Sequence, residues 1–176
     1  LMGEGRTAAD SGSVLALAGA ISGPGKLYTV TGQTLLAGPG SYTGGTHVGG
    51  GLLELGGSQL LPDTGTLHIE GVFRMNGHTD QVEMISAAST TAELVMGGGT
   101  LTVAAVTDGA FQGRLVGAGT LIKAGKARLT VSSATNFTGA VQVIDGTLEV
   151  AGAGTLDTGI ALSNGGAISG TGTVGT

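Results

Sequence analysis

The 176-residue chain carries 37 glycines, two tyrosines, three phenylalanines, no tryptophan, no cysteine and a formal charge of −5. The lack of cysteine excludes disulfides and thiolate metal sites, and an acidic balance without basic clusters argues against a nucleic-acid or anionic-lipid surface. Hydrophobic residues still make up 40% and charged ones only 11%, the reverse of a disordered composition, so small aliphatic side chains must fill a folded interior.

In chain order, Leu1-Met-Gly-Glu-Gly-Arg6 has no basic region followed by an apolar core, and no signal peptide is read there. Asp10-Ser-Gly-Ser13 is similar to the nucleophile segment of chymotrypsin-like proteases. That order needs its His and Asp far upstream, however, and only nine residues precede Asp10; a polar turn is expected. The longest nearly unbroken apolar stretch, Val14 to Ile21, falls well short of the roughly 18 residues a spanning helix needs. With tyrosine only at 28 and 42, a membrane barrel would lack its aromatic girdles.

Period-two alternation then predicts short strands. Leu67 and Ile69 point in against His68 and Glu70; Phe73 and Met75 oppose Arg74 and Asn76; Leu101 with Val103, Leu129 with Val131 and Leu148 with Val150 repeat the scheme. Asp80 to Met96 has two readings. A helix would put Val82, Ile85 and Met96 roughly on one face, whereas a strand lets Val82 and Met84 alternate with Gln81 and Glu83, and the alternation favours the strand. Leu121 and Lys123 break the scheme unless a corner lies nearby. Gly38-Pro-Gly40, Gly49-Gly50-Gly51, Gly97-Gly98-Gly99 and Asn164-Gly-Gly166 separate the strands and suit corners that need positive φ.

Residues 23–55 and 117–150 align with each other. Gly23, Gly25, Leu27 and Leu35 match Gly117, Gly119, Leu121 and Leu129 at an offset of 94. After one inserted residue, Tyr42-Thr-Gly44, Val48, Gly51 and Leu53-Glu-Leu55 match Phe137-Thr-Gly139, Val143, Gly146 and Leu148-Glu-Val150. A solenoid coil takes on the order of 20 to 25 residues, so the unit is expected to hold about four coils and the chain about seven or eight. At about 4.8 Å per coil the rod would be roughly 35 to 40 Å long.

Gly117-Ala-Gly-Thr-Leu-Ile-Lys123, Asn136-Phe-Thr-Gly139 and Gly146-Thr-Leu-Glu-Val150 resemble the passenger-associated transport repeat of bacterial autotransporters, also described as the autotransporter-associated β-strand repeat. The first copy is looser, with Ser41 at the Asn position and Gly51-Leu-Leu-Glu-Leu55 as its last block. The segment from Leu61 through Gly77 is similar to sequences that join such repeats. The resemblance covers nearly the whole chain and implies a right-handed, single-stranded parallel β-helix, exported across the outer membrane by type V secretion and displayed or shed at the bacterial cell surface. It is specific for architecture and says little about task, because one fold hosts many functions.

Chemistry-bearing motifs are sparse. His47, His68 and His78 have no second histidine within four residues, so a zinc site would need convergence between coils, and His78 near Asp80 comes nearest to a pair. Gly170-Thr-Gly-Thr-Val-Gly175 fits the dinucleotide pattern literally but has no helix after it to bind pyrophosphate. Carboxylates do not pair on one expected face, as a polysaccharide hydrolase would require. No catalytic, cofactor or metal-binding residue is therefore assigned. The expectation is one continuous β-helix over 1–176, a piece of a longer chain, serving as a non-enzymatic stalk whose partners are its own neighbouring coils. The alternatives are a self-assembling extracellular filament subunit, or an adhesin module for a host receptor or glycan using the Asp80 to Phe111 region.

Overall fold

The computed structural model describes residues 4–10, 12–133, 136–156, 158–163 and 165–175. Its strands are two to six residues long, and their ladders run parallel. Strands follow one another around a three-sided coil. The first coil runs through Glu4–Ala8, Val14–Leu17 and Ile21–Gly23; the second through Lys26–Thr31, Gln33–Leu36 and Gly40–Tyr42, each strand pairing with the one a coil earlier. Winding continues for eight coils among the described residues, and Ala167–Gly170 with Thr173–Val174 opens a ninth. The expected solenoid and its coil number are therefore borne out. No helix in the described residues is long and apolar enough to cross a membrane.

Coil length is not constant. On the first side Thr66 pairs with Met84, 18 residues on, whereas Ala87 bridges to Phe111, 24 residues on. Asp80 to Met96 contains the strands Thr79–Val82, Met84–Ser86 and Glu93–Val95. The helix reading is thus replaced by strands turning two corners, and Val82 and Met84 are buried as alternation requires.

Inward side chains stack in rows. On the second side the row runs Thr34, Leu53, Phe73, Leu94, Leu115; on the third, Leu101, Leu121, Val141. All of these are buried. A buried large aliphatic contributes roughly 1.5 to 3 kcal/mol, so the rows account for a stable interior with few aromatics. Corners bring backbones into near contact: at Gly51, with φ +64°, an added Cβ would lie 2.2 Å from the Gly32 carbonyl oxygen, which leaves room only for glycine.

The third side is interrupted in the third coil, where Leu60-Leu61-Pro62 forms no strand. Pro62 has no N–H to donate. Asp80, fully buried in the next coil, accepts hydrogen bonds from the Leu60 and Leu61 amides at 2.9 and 3.2 Å and from the Gln81 amide at 2.9 Å. Its carboxylate closes the gap that the missing ladder leaves.

The aligned stretches 23–55 and 117–150 do not fall on matching sides. Leu27 lies on the first side and Leu121 on the third; Leu35 on the second and Leu129 on the first; Tyr42 on the third and Phe137 on the second. The interval is four coils and two sides rather than four whole coils. The physical reason is that each side accepts the same aliphatic alternation and each corner the same glycines, so nothing in the pattern binds a strand to one side.

Candidate functional site

The outer surface of the first side carries a ladder of polar and aromatic groups. Parallel pairing sets Arg6 beside Tyr28, Tyr28 beside His47, His47 beside His68, and His68 beside Ser86. Because alternation turns every second residue outward, these five side chains from five successive coils share one row. The Arg6 guanidinium lies 5.2 Å from the Tyr28 ring centroid. The Tyr28 and His47 rings are 4.4 Å apart, and the His47 and His68 rings meet edge to face at 4.5 Å.

Glu70 follows the strand that carries His68 and closes the ladder. Its backbone N–H donates to the Val48 carbonyl at 2.7 Å. Its carboxylate spans both imidazoles, with Oε2 3.4 Å from His47 Nε2 and Oε1 3.4 Å from His68 Nε2. His68 Nδ1 lies 2.8 Å from Ser86 Oγ. The three ligand atoms offered by His47, His68 and Glu70 fall within 4.8 Å of one another, so these residues could hold a metal ion. Burial holds the His47 imidazole below its ordinary value, aided by repulsion from His68 and Lys26 and opposed by Glu70. Partial burial works to raise the Glu70 carboxyl, but the His47 and His68 imidazoles that face it outweigh this and hold the group low.

No protein-family model matches the chain, and no solved structure matches it. Over 164 residues, 90% of its length, it is 32% identical to the Adhesin BmaC autotransporter of Brucella suis biovar 1 (strain 1330). The chain is a relative of an autotransporter adhesin. It spans 5% of that protein's length, and its own coils resemble an autotransporter passenger segment.

Within this autotransporter relative, the sequence-read candidates sort differently from expectation. Convergence between coils does occur, at His47 and His68 rather than at His78 with Asp80, whose carboxylate is committed to backbone amides. The signal in the sequence is the spacing of Arg6, Tyr28, His47 and His68, close to one coil each time. The Ser13 amide donates to the Asp10 carbonyl at 2.9 Å; Ser11 lies outside the described residues. Gly170 to Gly175 is strand and bend, without a helix.

Lys123 is the other unforeseen group. It occupies the inward row between Val103 and Val143 and is fully buried. Its ammonium reaches the nearby corner and donates to the carbonyls of Ala124, Gly125 and Asp145 at 2.9, 2.8 and 3.1 Å. Burial lowers its pKa, while Asp145 and Asp108 pull the other way. Elsewhere on the surface carboxylates are paired with cations between adjacent coils: Glu54 with Arg74 at 3.0 Å, Glu93 with Arg114 at 2.8 Å and Glu149 with Arg128 at 3.4 Å.

Proposed function

We propose that the chain is a non-enzymatic rod segment of a surface-displayed autotransporter-type passenger, exported across the outer membrane and supporting adhesion. The observation that carries this reading is the pairing pattern: among the described residues, each strand bonds only to strands one coil before and one coil after. In such a solenoid, length is added without changing the existing core, and stability accumulates coil by coil. The Arg–Glu pairs between coils favour the same reading, since they occupy carboxylates that a hydrolase would keep free. The adhesive role draws on the relative, which is an adhesin by name. Urea melts of chains ending after the fourth, sixth and eighth coils test the rod: midpoints should climb with each addition, and equal midpoints at four and eight coils reject it.

A second reading is end-to-end association, favoured by the far end of the rod. Leu162, Ile168 and Val174 occupy inward rows yet are 50%, 37% and 37% exposed. A further coil, from this chain's own continuation or from a second copy, would cover them. Sedimentation velocity across a hundredfold concentration range decides between them, because a rod that self-stacks must sediment faster as concentration rises.

A further inference from the structure

We propose that His47, His68 and Glu70 form a site for a first-row divalent transition metal, with Zn2+ the best fit, that clips the third coil to the fourth. The inference goes beyond the rod reading and does not depend on it.

The geometry is that of a coordination shell before the ion enters. A separation of 3.4 Å between each imidazole Nε2 and its carboxylate oxygen is long for N–H···O bonding, which centres near 2.9 Å. Each distance is close to the roughly 3.3 Å edge of a tetrahedron whose centre lies about 2.0 to 2.1 Å from its ligand atoms; the two contacts use opposite oxygens of the carboxylate, and one ligand atom from each residue falls within 4.8 Å of the others. His47 Nε2 is buried and has no hydrogen-bond partner, an arrangement that normally marks a missing ligand or ion.

The supporting contacts are those of a metal site. Ser86 Oγ, 2.8 Å from His68 Nδ1, is placed to accept the Nδ1 proton when an ion takes the Nε2 lone pair, the role that outer hydrogen bonds play around metal-bound histidines. The His47 ring is held by Tyr28. The Tyr28 hydroxyl lies close over Gly49, where an added Cβ would fall 2.3 Å from its oxygen. Glu70 is fixed by its backbone bond to Val48.

Two imidazoles and one carboxylate suit Zn2+, and by the Irving–Williams order Cu2+ and Ni2+, rather than the all-oxygen shells of Ca2+ and Mg2+. Side-chain exposures of 17%, 31% and 46% for His47, His68 and Glu70 leave the outer face open to water as a fourth ligand.

Isothermal titration of the whole chain with ZnCl2 tests the site, with circular dichroism to verify that each variant keeps its strands. One Zn2+ per chain should bind with a measurable saturation point, and MgCl2 should give no saturable heat. His47→Ala, His68→Ala and Glu70→Gln should each weaken binding at least about tenfold, and Ser86→Ala about 10- to 100-fold; His78→Ala should leave it unchanged. The urea midpoint of the parent should rise with Zn2+, and that of His47→Ala should not. Absence of saturable Zn2+ binding, or equal affinity in parent and His47→Ala, overturns the proposal. Equal binding of Mg2+ overturns the assigned metal class.

Discussion

Replacing Phe73 by alanine tests whether the stacked rows hold the rod together. Phe73 lies between Leu53 and Leu94 in register, and all three are fully buried. Removal of a buried ring of this kind costs roughly 3 to 5 kcal/mol, because neighbours above and below close only part of the cavity. With a urea slope of about 2 kcal/mol per molar, the midpoint should fall by about 1.5 to 2.5 M. Ile168→Ala is the matched comparison: it points into an inward row, but its outer flank is bare and the residue is 37% exposed. Its loss should cost about 1 kcal/mol. Since coils couple to their neighbours alone, Phe73→Ala should also broaden the transition, as the segments on either side of the defect begin to melt separately. Equal midpoint shifts for the two variants would refute the claim that stability resides in coil-to-coil stacking of the inward rows.

Two further substitutions probe buried polar groups. Lys123→Ala removes an enclosed stem together with the donor to three carbonyls and should cost roughly 2 to 5 kcal/mol. Lys123→Met retains the stem and loses only the donor, at about 1 to 3 kcal/mol; thermal melts that rank Met as low as Ala would show that the stem does not contribute. Tyr42 is fully buried, its hydroxyl 2.6 Å from Thr46 Oγ1, and burial above all pushes it from 10.0 up to about 12. As an acid whose folded value is raised, it contributes stability that is complete below pH 10 and drains away as pH approaches 12, up to about 3 kcal/mol. Urea midpoints at about pH 9 and about pH 11.5 should therefore converge in Tyr42→Phe more than in the parent; an identical alkaline loss in both would exclude Tyr42 as its source.

The strands were legible because alternation is a local property. Leu67 and Ile69, Leu101 and Val103, Leu129 and Val131, and Leu148 and Val150 all enter the core as the pattern requires. The ladder of Arg6, Tyr28, His47 and His68 was not legible, since its members meet only if the length of each intervening coil is known, and the pairings Arg6–Tyr28, Tyr28–His47 and His47–His68 span 22, 19 and 21 residues. A slip of one residue in any coil would send the second imidazole inward. Lys123 misled for a different reason. It was read as breaking the alternation, yet it keeps the inward phase of Leu121; the destination of a four-carbon stem depends on which carbonyls a corner turns toward it, and these three come from two different coils.

Leu27 and Leu121 occupy equivalent places in the aligned stretches yet face different ways, as do Leu35 and Leu129, and Tyr42 and Phe137. A rod lengthened by copying this stretch at the same interval would turn each copy by a third of a revolution relative to the last. An outward residue carried in every copy would trace a slow spiral and return to its starting bearing only at the fourth. Such a rod has no front or back, and a contact made anywhere along its length would not depend on how it happened to be rotated about its own axis.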